Sequence, residues 1–268
     1  MLYNAKNGTL KIGGTTMDYI RFGSGERILV MLPGLGDGLR STKGTALPMA
    51  FMYREFAKDF TVYAFSRKNM LPEGYTTRDM ARDQAEAMEQ LGISKADVFG
   101  VSMGGMIAQH IAIDYPEKVH KLILTVTSSR PNPILAESVD EWVSCAKRGD
   151  HTALMDSNVR RIYSEDYYRK NKWLVPVMGK LTKPKSYDRF FVQADACLTH
   201  NAYENLPRIQ APTLVIGGEK DLSLGGDASR EIAAAIPDVE LRMYEQWGHG
   251  LYEEAKDFIE VVLSFLTK

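Results

Sequence analysis

The sequence predicts an α/β fold: a mostly parallel, eight-stranded sheet with helices on both faces, interrupted by an inserted helical segment. Three observations carry this expectation. Short apolar runs alternate with helical patterns over residues 1–128 and again over 206–268, the rhythm of parallel strands joined by crossover helices. Between them, residues 129–205 show helical patterning without a clear strand, which divides the chain into a sheet core (1–128 and 206–268) and a helical cap (129–205). The stretch Gly100-Val101-Ser102-Met103-Gly104 stands between an apolar run and a helical pattern, so strand, tight turn and helix follow one another directly.

The elements follow in order. Thr9 to Ile12 and Met17 to Phe22 flank Gly13-Gly14 and read as a β-hairpin. Arg27 to Leu32 is a nearly continuous apolar strand ending at Pro33-Gly34. Phe51, Phe56 and Ala57 fit a short helix, and Thr61 to Phe65 a strand. Thr76-Thr77 offers an N-cap for a helix carrying Met80, Ala81, Ala85, Met88 and Leu91 at helical intervals until Gly92. The strand Asp97 to Phe99 leads into Ser102, and Met106, Ile107, Ala108, Ile111 and Ala112 continue as a helix. Lys121 to Val126 is the next strand. Arg130-Pro131-Asn132-Pro133 breaks the alternation, which resumes at Ala211-Pro212 with a strand Thr213 to Ile216 and a helix around Ala228 to Ile236. A strand at Val239 to Tyr244 and a final helix bearing Phe258, Ile259, Val262, Phe265 and Leu266 close the chain.

Composition narrows the function classes. A formal net charge of −1 over 268 residues argues against a nucleic-acid-binding surface, and no Lys/Arg block suggests a membrane partner. The N-terminus lacks the apolar run of a signal peptide, no stretch approaches the length of a spanning helix, and a cytoplasmic location is expected. Cys145 and Cys197 stand in no metal-ligand spacing, so two reduced thiols, no metal and no cofactor are expected. Between Ile134 and Glu204 there are eleven Lys/Arg and ten Asp/Glu, too even a balance to steer a charged substrate by its long-range field. A monomer or small homo-oligomer fits this composition.

The chemistry concentrates around Ser102. A serine at the apex of a strand-to-helix turn projects out of the fold with a helix N-terminus behind it. A serine hydroxyl is a poor nucleophile at neutral pH and needs a base. Of the five histidines, His110 lies within the following helix, His120 begins a strand, and His151 and His200 fall in the insertion. His249, in Gly248-His249-Gly250, follows the last strand and so stands at the same carboxyl edge of the sheet as Ser102. An imidazole base needs a carboxylate to hold its tautomer. Asp221 follows the strand Thr213 to Ile216 after two glycines that let the chain turn; Glu219 and Asp227 are its competitors. The glycine-rich loop Leu32 to Gly38 can aim backbone N–H groups at a developing oxyanion, and the N–H of Met103 supplies a second donor aided by the helix dipole. Arg67 and Lys68, at the carboxyl edge, read as a solvated surface pair, with contact to an anionic group as the alternative.

These segments, in the chain order Ser, Asp, His, make the sequence resemble the α/β-hydrolase fold superfamily, of the capped esterase and lipase-like type, over most of residues 9–128 and 206–268. The resemblance implies Ser102 as nucleophile, His249 as general base and acid, Asp221 as orienting acid, and the N–H groups of Leu35 and Met103 as the oxyanion hole. It implies hydrolysis of a small carboxylic ester or related acyl compound through an acyl-enzyme. Thioester or lactone hydrolysis, C–C bond hydrolysis, acyl transfer and proline iminopeptidase activity are alternatives on the same machinery; a ligand-binding protein on the same scaffold is a rival of another class. Two departures narrow the subgroup. Pro33-Gly34 stands where many relatives have His-Gly, and Ser66-Arg67-Lys68-Asn69-Met70 replaces an Asp-x-x-Gly-x-Gly-type turn found in epoxide hydrolases and haloperoxidase-like enzymes. Serine rather than aspartate at position 102 also disfavours dehalogenase and epoxide hydrolase chemistry.

Overall fold

The computed structural model describes residues 2–268. Eight strands form one sheet: β1 (Lys6–Ile12), β2 (Thr15–Gly23), β3 (Arg27–Leu32), β4 (Phe60–Lys68), β5 (Ala96–Val101), β6 (Val119–Thr125), β7 (Thr213–Gly218) and β8 (Val239–Tyr244). Their spatial order is β1-β2-β4-β3-β5-β6-β7-β8. β2 pairs antiparallel with both β1 and β4, while every other neighbouring pair is parallel, so β2 alone runs against the rest. The inner strands β5 and β7 are buried along nearly their whole length and β3 over its last four residues, which is why they read as continuous apolar runs rather than alternating ones.

Helices cover both faces. On one side lie α2 (Thr77–Gln90), α3 (Met103–Asp114) and α9 (Asp227–Ala235), which share a core with Val30, Leu32, Phe65, Val98 and Leu124. On the other, α1 (Ala46–Met52), the short α10 (Leu251–Glu254) and α11 (Phe258–Thr267) pack with Leu29, Val62, Phe99 and Ile123. α2 begins as the sequence suggests. The Thr76 hydroxyl accepts from the Asp79 N–H at 3.1 Å and the Asp79 carboxylate accepts from the Thr76 N–H at 3.1 Å, a reciprocal capping box.

The short helix expected around Phe51 to Ala57 lies elsewhere. α1 starts at Ala46 and buries Ala46 and Ala50, one turn apart, leaving Phe51 62% exposed, while Phe56 and Ala57 belong to a separate 3₁₀ turn. The small alanines set the buried face here; the larger phenylalanine falls off it by one helical step.

Between β6 and β7 the chain forms five α-helices, two short 3₁₀ turns and no strand, the α-helices being α4 (Pro133–Lys147), α5 (His151–Ile162), α6 (Glu165–Asn171), α7 (Val175–Leu181) and α8 (Asp188–Thr199). The break at Arg130 to Pro133 is itself a helix start. Asn132 accepts from the Leu135 N–H at 2.9 Å, with Pro133 in the first helical position. The insertion's aromatics divide: Trp142 and Phe190 join the core on the α2/α3 side, whereas Trp173 is 69% exposed. Among the described residues no helix is long and apolar enough to cross a membrane.

Thr76→Ala removes one half of the capping box and is expected to lower the unfolding free energy by about 1 kcal/mol, read as a shifted midpoint in urea denaturation.

Candidate active site

β5 ends at Val101, and Ser102 takes φ 54° and ψ −122°, a left-handed conformation that non-glycine residues avoid. Such strain costs about 1–3 kcal/mol and persists only where the surroundings over-determine it. Here they do. The Ser102 N–H donates to Thr125 O at 2.9 Å, and the Ser102 carbonyl accepts from the Thr127 hydroxyl at 2.7 Å and from the Gly105 N–H at 2.8 Å. α3 then crosses the end of β3 so closely that a Cβ on Gly104 would sit 1.9 Å from Leu32 O. Only glycine allows that crossing, and the crossing turns Ser102 outward.

His249 lies in the loop after β8, and its Nδ1–H donates to Asp221 Oδ2 at 2.8 Å. Asp221 Oδ1 accepts from the backbone N–H groups of Ser223 (2.8 Å) and Leu224 (2.9 Å), so the carboxylate is locked from behind while its other oxygen faces the ring. Both side chains are nearly inaccessible, at 5% for His249 and 3% for Asp221. A carboxylate on Nδ1 leaves Nε2 as the basic nitrogen. The competitors lie apart from this pair: Glu219 is ion-paired to Arg230, and Asp227 sits in the first turn of α9. Gly217 and Gly218 do not turn the chain, because β7 runs through both. Gly218 instead permits close packing, since a Cβ there would meet Trp247 O at 2.5 Å.

The loop after β3 forms a single 3₁₀ turn, Leu35–Gly38. A Cβ on Gly34 would lie 3.8 Å from Ser102 Oγ, so this loop borders the serine directly. Leu35 and Met103 each open a helix, where the first N–H groups have no intrahelical acceptor. The structure thus joins Asp221 to His249 and brings the Gly34 loop to Ser102. Among the described residues, no hydrogen bond links Ser102 Oγ to His249. A groove of about 850 Å³ is lined by Lys220, Leu222, Trp247 and Gly248, the chain neighbours of Asp221 and His249, and by Tyr163 and Tyr167 of the insertion; Ser102 is not in its wall.

Arg67 and Lys68 are a correction. The expected solvated pair is buried, at 1% and 6% exposure, because β4 runs on to Lys68, α2 packs against it, and Arg189 of α8 reaches the Arg67 and Lys68 carbonyls. Lys68 Nζ lies 3.1 Å from Asp83 Oδ1 and donates to the Tyr75 hydroxyl at 2.7 Å. Burial alone pushes its ammonium down, but the Tyr75 and Asp83 contacts outweigh it and the pKa rises. Sequence patterning missed these partners, since Asp83 and Tyr75 approach only after α2 folds back over the sheet edge.

The remaining histidines pack or pair elsewhere. His120 bonds Asp97 at 2.8 Å and His151 bonds Thr182 at 3.1 Å. His110 and His200 meet edge to face with centroids 5.1 Å apart, and His200 Nδ1 lies 2.9 Å from Thr77 Oγ1.

The strained serine, the acid–histidine pair and the sheet-edge loops describe a hydrolase scaffold, and the comparisons agree. The alpha/beta hydrolase fold family matches residues 27–256, and the chain belongs to that family. It is 31% identical over 203 residues, covering 73% of this chain and 77% of the relative, to a Mycobacterium tuberculosis protein provisionally named non-heme bromoperoxidase BpoC. It is 27% identical over 263 residues (92% and 90% of the two chains) to the 2-hydroxy-6-oxononadienedioate/2-hydroxy-6-oxononatrienedioate hydrolase of a Pseudomonas species. The crystal structure of MGS-M2, an alpha/beta hydrolase enzyme from a Medee basin deep-sea metagenome library, superposes with a TM-score of 0.85 at 23% identity, covering 97% of this chain and 98% of that one. It shares the fold.

The His110–His200 pair yields a pH prediction. Burial pushes His110 down to about 4; burial first, and then the neighbouring His110 ring, push His200 down to about 3. Rings held below the ordinary 6.5 contribute stability that is fully present above pH 6.5 and lost as pH falls from there toward 4 for His110 and 3 for His200, where the unfolded chain takes up protons first. Urea denaturation at pH 7 and pH 4.5 should differ by on the order of 2 kcal/mol for each ring, and His200→Gln should flatten that dependence. An unchanged slope in the variant would assign the acid sensitivity to other groups.

Proposed function

We propose that this α/β hydrolase is a serine hydrolase that cleaves a small carboxylic ester, or a related acyl compound, through an acyl-enzyme. The observation that carries the reading is the buried Asp221–His249 hydrogen bond at the same sheet edge as a serine held at positive φ. Binding alone requires neither a tautomer-fixed imidazole nor a strained serine, which weighs against a non-catalytic ligand-binding protein.

In this mechanism Ser102 Oγ attacks the carbonyl carbon while His249 Nε2 takes its proton. The carbonyl π pair moves onto oxygen, and the oxyanion is held by the N–H groups of Leu35 and Met103, each worth on the order of 3 kcal/mol of barrier. Collapse expels the alcohol, which receives the proton from His249. Water then attacks the acyl-enzyme, giving its proton to His249, and the acid departs as Ser102 is reprotonated. Asp221 stays ionised throughout and stabilises the imidazolium. The serine–histidine hydrogen bond forms as substrate settles, as is common in this chemistry.

The 27% identity to the dienedioate hydrolase over 92% of this chain favours one second reading, C–C bond hydrolysis by the same groups. A panel of acyl chain lengths and leaving groups, run beside a vinylogous diketone acid, separates the two by which substrate has the higher kcat/KM.

Ser102→Ala is expected to lower ester turnover at least about 1000-fold and to abolish covalent labelling by a fluorophosphonate, in protein whose circular dichroism is unchanged. Retained activity would end the acyl-enzyme account. Asp221→Asn should reduce kcat on the order of 1000-fold or more by releasing the wrong tautomer, measured with the same ester; full activity would return Glu219 and Asp227 to contention.

A further inference from the structure

The loop beside Ser102 contains a charge that needs explaining. The Asp37 side chain is 1% exposed, and a buried carboxylate is costly unless it is paired and hydrogen-bonded. Its Oδ2 accepts from the Arg67 N–H at 3.1 Å. The Arg67 guanidinium comes no closer than 3.9 Å, and none of its three nitrogens has a hydrogen-bond partner, so it supplies charge but no clamp. The clamp comes from the insertion. Arg189, in the first turn of α8, donates to Asp37 Oδ2 and to the Asp37 carbonyl, and also to Lys68 O and Arg67 O, both at 2.9 Å. One guanidinium therefore ties the loop after β3 to the end of β4. Without it the loop keeps one bond to β4, from the Arg67 N–H to Asp37, and otherwise only weak single-turn bonds such as Asp37 N–H to Gly34 O at 3.2 Å.

We propose that Arg189 is a positioning residue for the oxyanion hole: acting through Asp37, it fixes the turn that carries the Leu35 N–H, so the hole is complete only while α8 is seated. The proposal rests on the reading of Leu35 and Met103 as oxyanion donors. Removing Arg189 leaves a buried carboxylate without its main partner, and the loop relaxes to hydrate it. A shift of about 1 Å in such a donor is enough to lower turnover by about 100-fold. Because ground-state binding does not depend on this donor, the loss falls on kcat rather than KM.

The test uses the full chain with p-nitrophenyl acetate and a fluorophosphonate probe. Arg189→Ala should lower kcat and the labelling rate at least about tenfold while KM changes less than about threefold, and added methylguanidinium should restore part of kcat. Asp37→Asn, which keeps the shape but gives up the charge, should show the same split. Arg189→Lys keeps the charge but not the fork, and should also lose about tenfold in kcat; it decides the matter if Arg189→Ala does not fold. Variants whose kcat stays within about twofold of the parent, or whose loss is confined to KM, overturn the proposal. A parent chain that the probe does not label at all would overturn the nucleophile assignment instead, and the two failures are thereby distinct.

Discussion

The crossing of α3 over the end of β3 is the constraint from which the site follows. With a Cβ on Gly104 only 1.9 Å from Leu32 O, the helix lies as close to the strand as backbone allows. That proximity leaves Ser102 no ordinary conformation, and its φ of 54° is the geometric consequence. It also sets the start of the neighbouring loop: β3 ends at Leu32, so Gly34 emerges beside Ser102 and Leu35 opens a turn there. The turn at Ser102 and the loop that carries Leu35 are therefore two results of one packing contact. The strain is held by bonds to the end of β6, from the Ser102 N–H to Thr125, and to the loop just after it, from the Thr127 hydroxyl to the Ser102 carbonyl, so the end of β6 helps to hold this turn.

The helical insertion is attached to each of the loops that surround this contact. Arg189 reaches the loop after β3. Arg161 donates to Leu222 O at 3.1 Å, and the Ser223 hydroxyl donates to Arg161 O at 3.4 Å, beside Asp221. The Gly250 N–H, next to His249, donates to Ile162 O at 2.6 Å, and Tyr163 and Ser164 bond Glu253 and Glu254 a turn later. An element that touches all three loops acts on their relative placement. This differs from a lid that merely covers a finished site, since moving it as a body would break contacts on every side of the serine.

What could be read from the sequence was what local chemistry dictates. Ser102, His249 and Asp221 each follow an apolar run, and glycines flank Ser102 and His249 and precede Asp221, so their place at a common sheet edge needed only strand direction. Thr76 announced its helix because a capping box is complete within four residues. Arg67 and Lys68 were misread for the opposite reason. Their burial depends on Asp83, Asp37 and Arg189, the last of them more than a hundred residues away, and on helices whose packing no local pattern encodes. Arg189 itself was one of eleven cations in a segment whose charges nearly cancel. Nothing in its neighbours distinguishes it from the exposed Lys180 or Lys185.

That near-cancellation conceals how the charges are used. Arg161 binds Glu137 and Glu141 across the α4–α5 contact, and Arg189 is turned onto backbone carbonyls and Asp37 beneath it. These two guanidinium groups of the insertion thus face inward, where lower dielectric and fixed geometry make them effective. A net charge near zero says only that the long-range field is weak. It does not make the segment electrostatically idle, because its contribution is short-ranged and structural. The groove beside the chain neighbours of Asp221 and His249 has the same short-range character, lined by aromatic and charged side chains such as Tyr163, Tyr167 and Lys220.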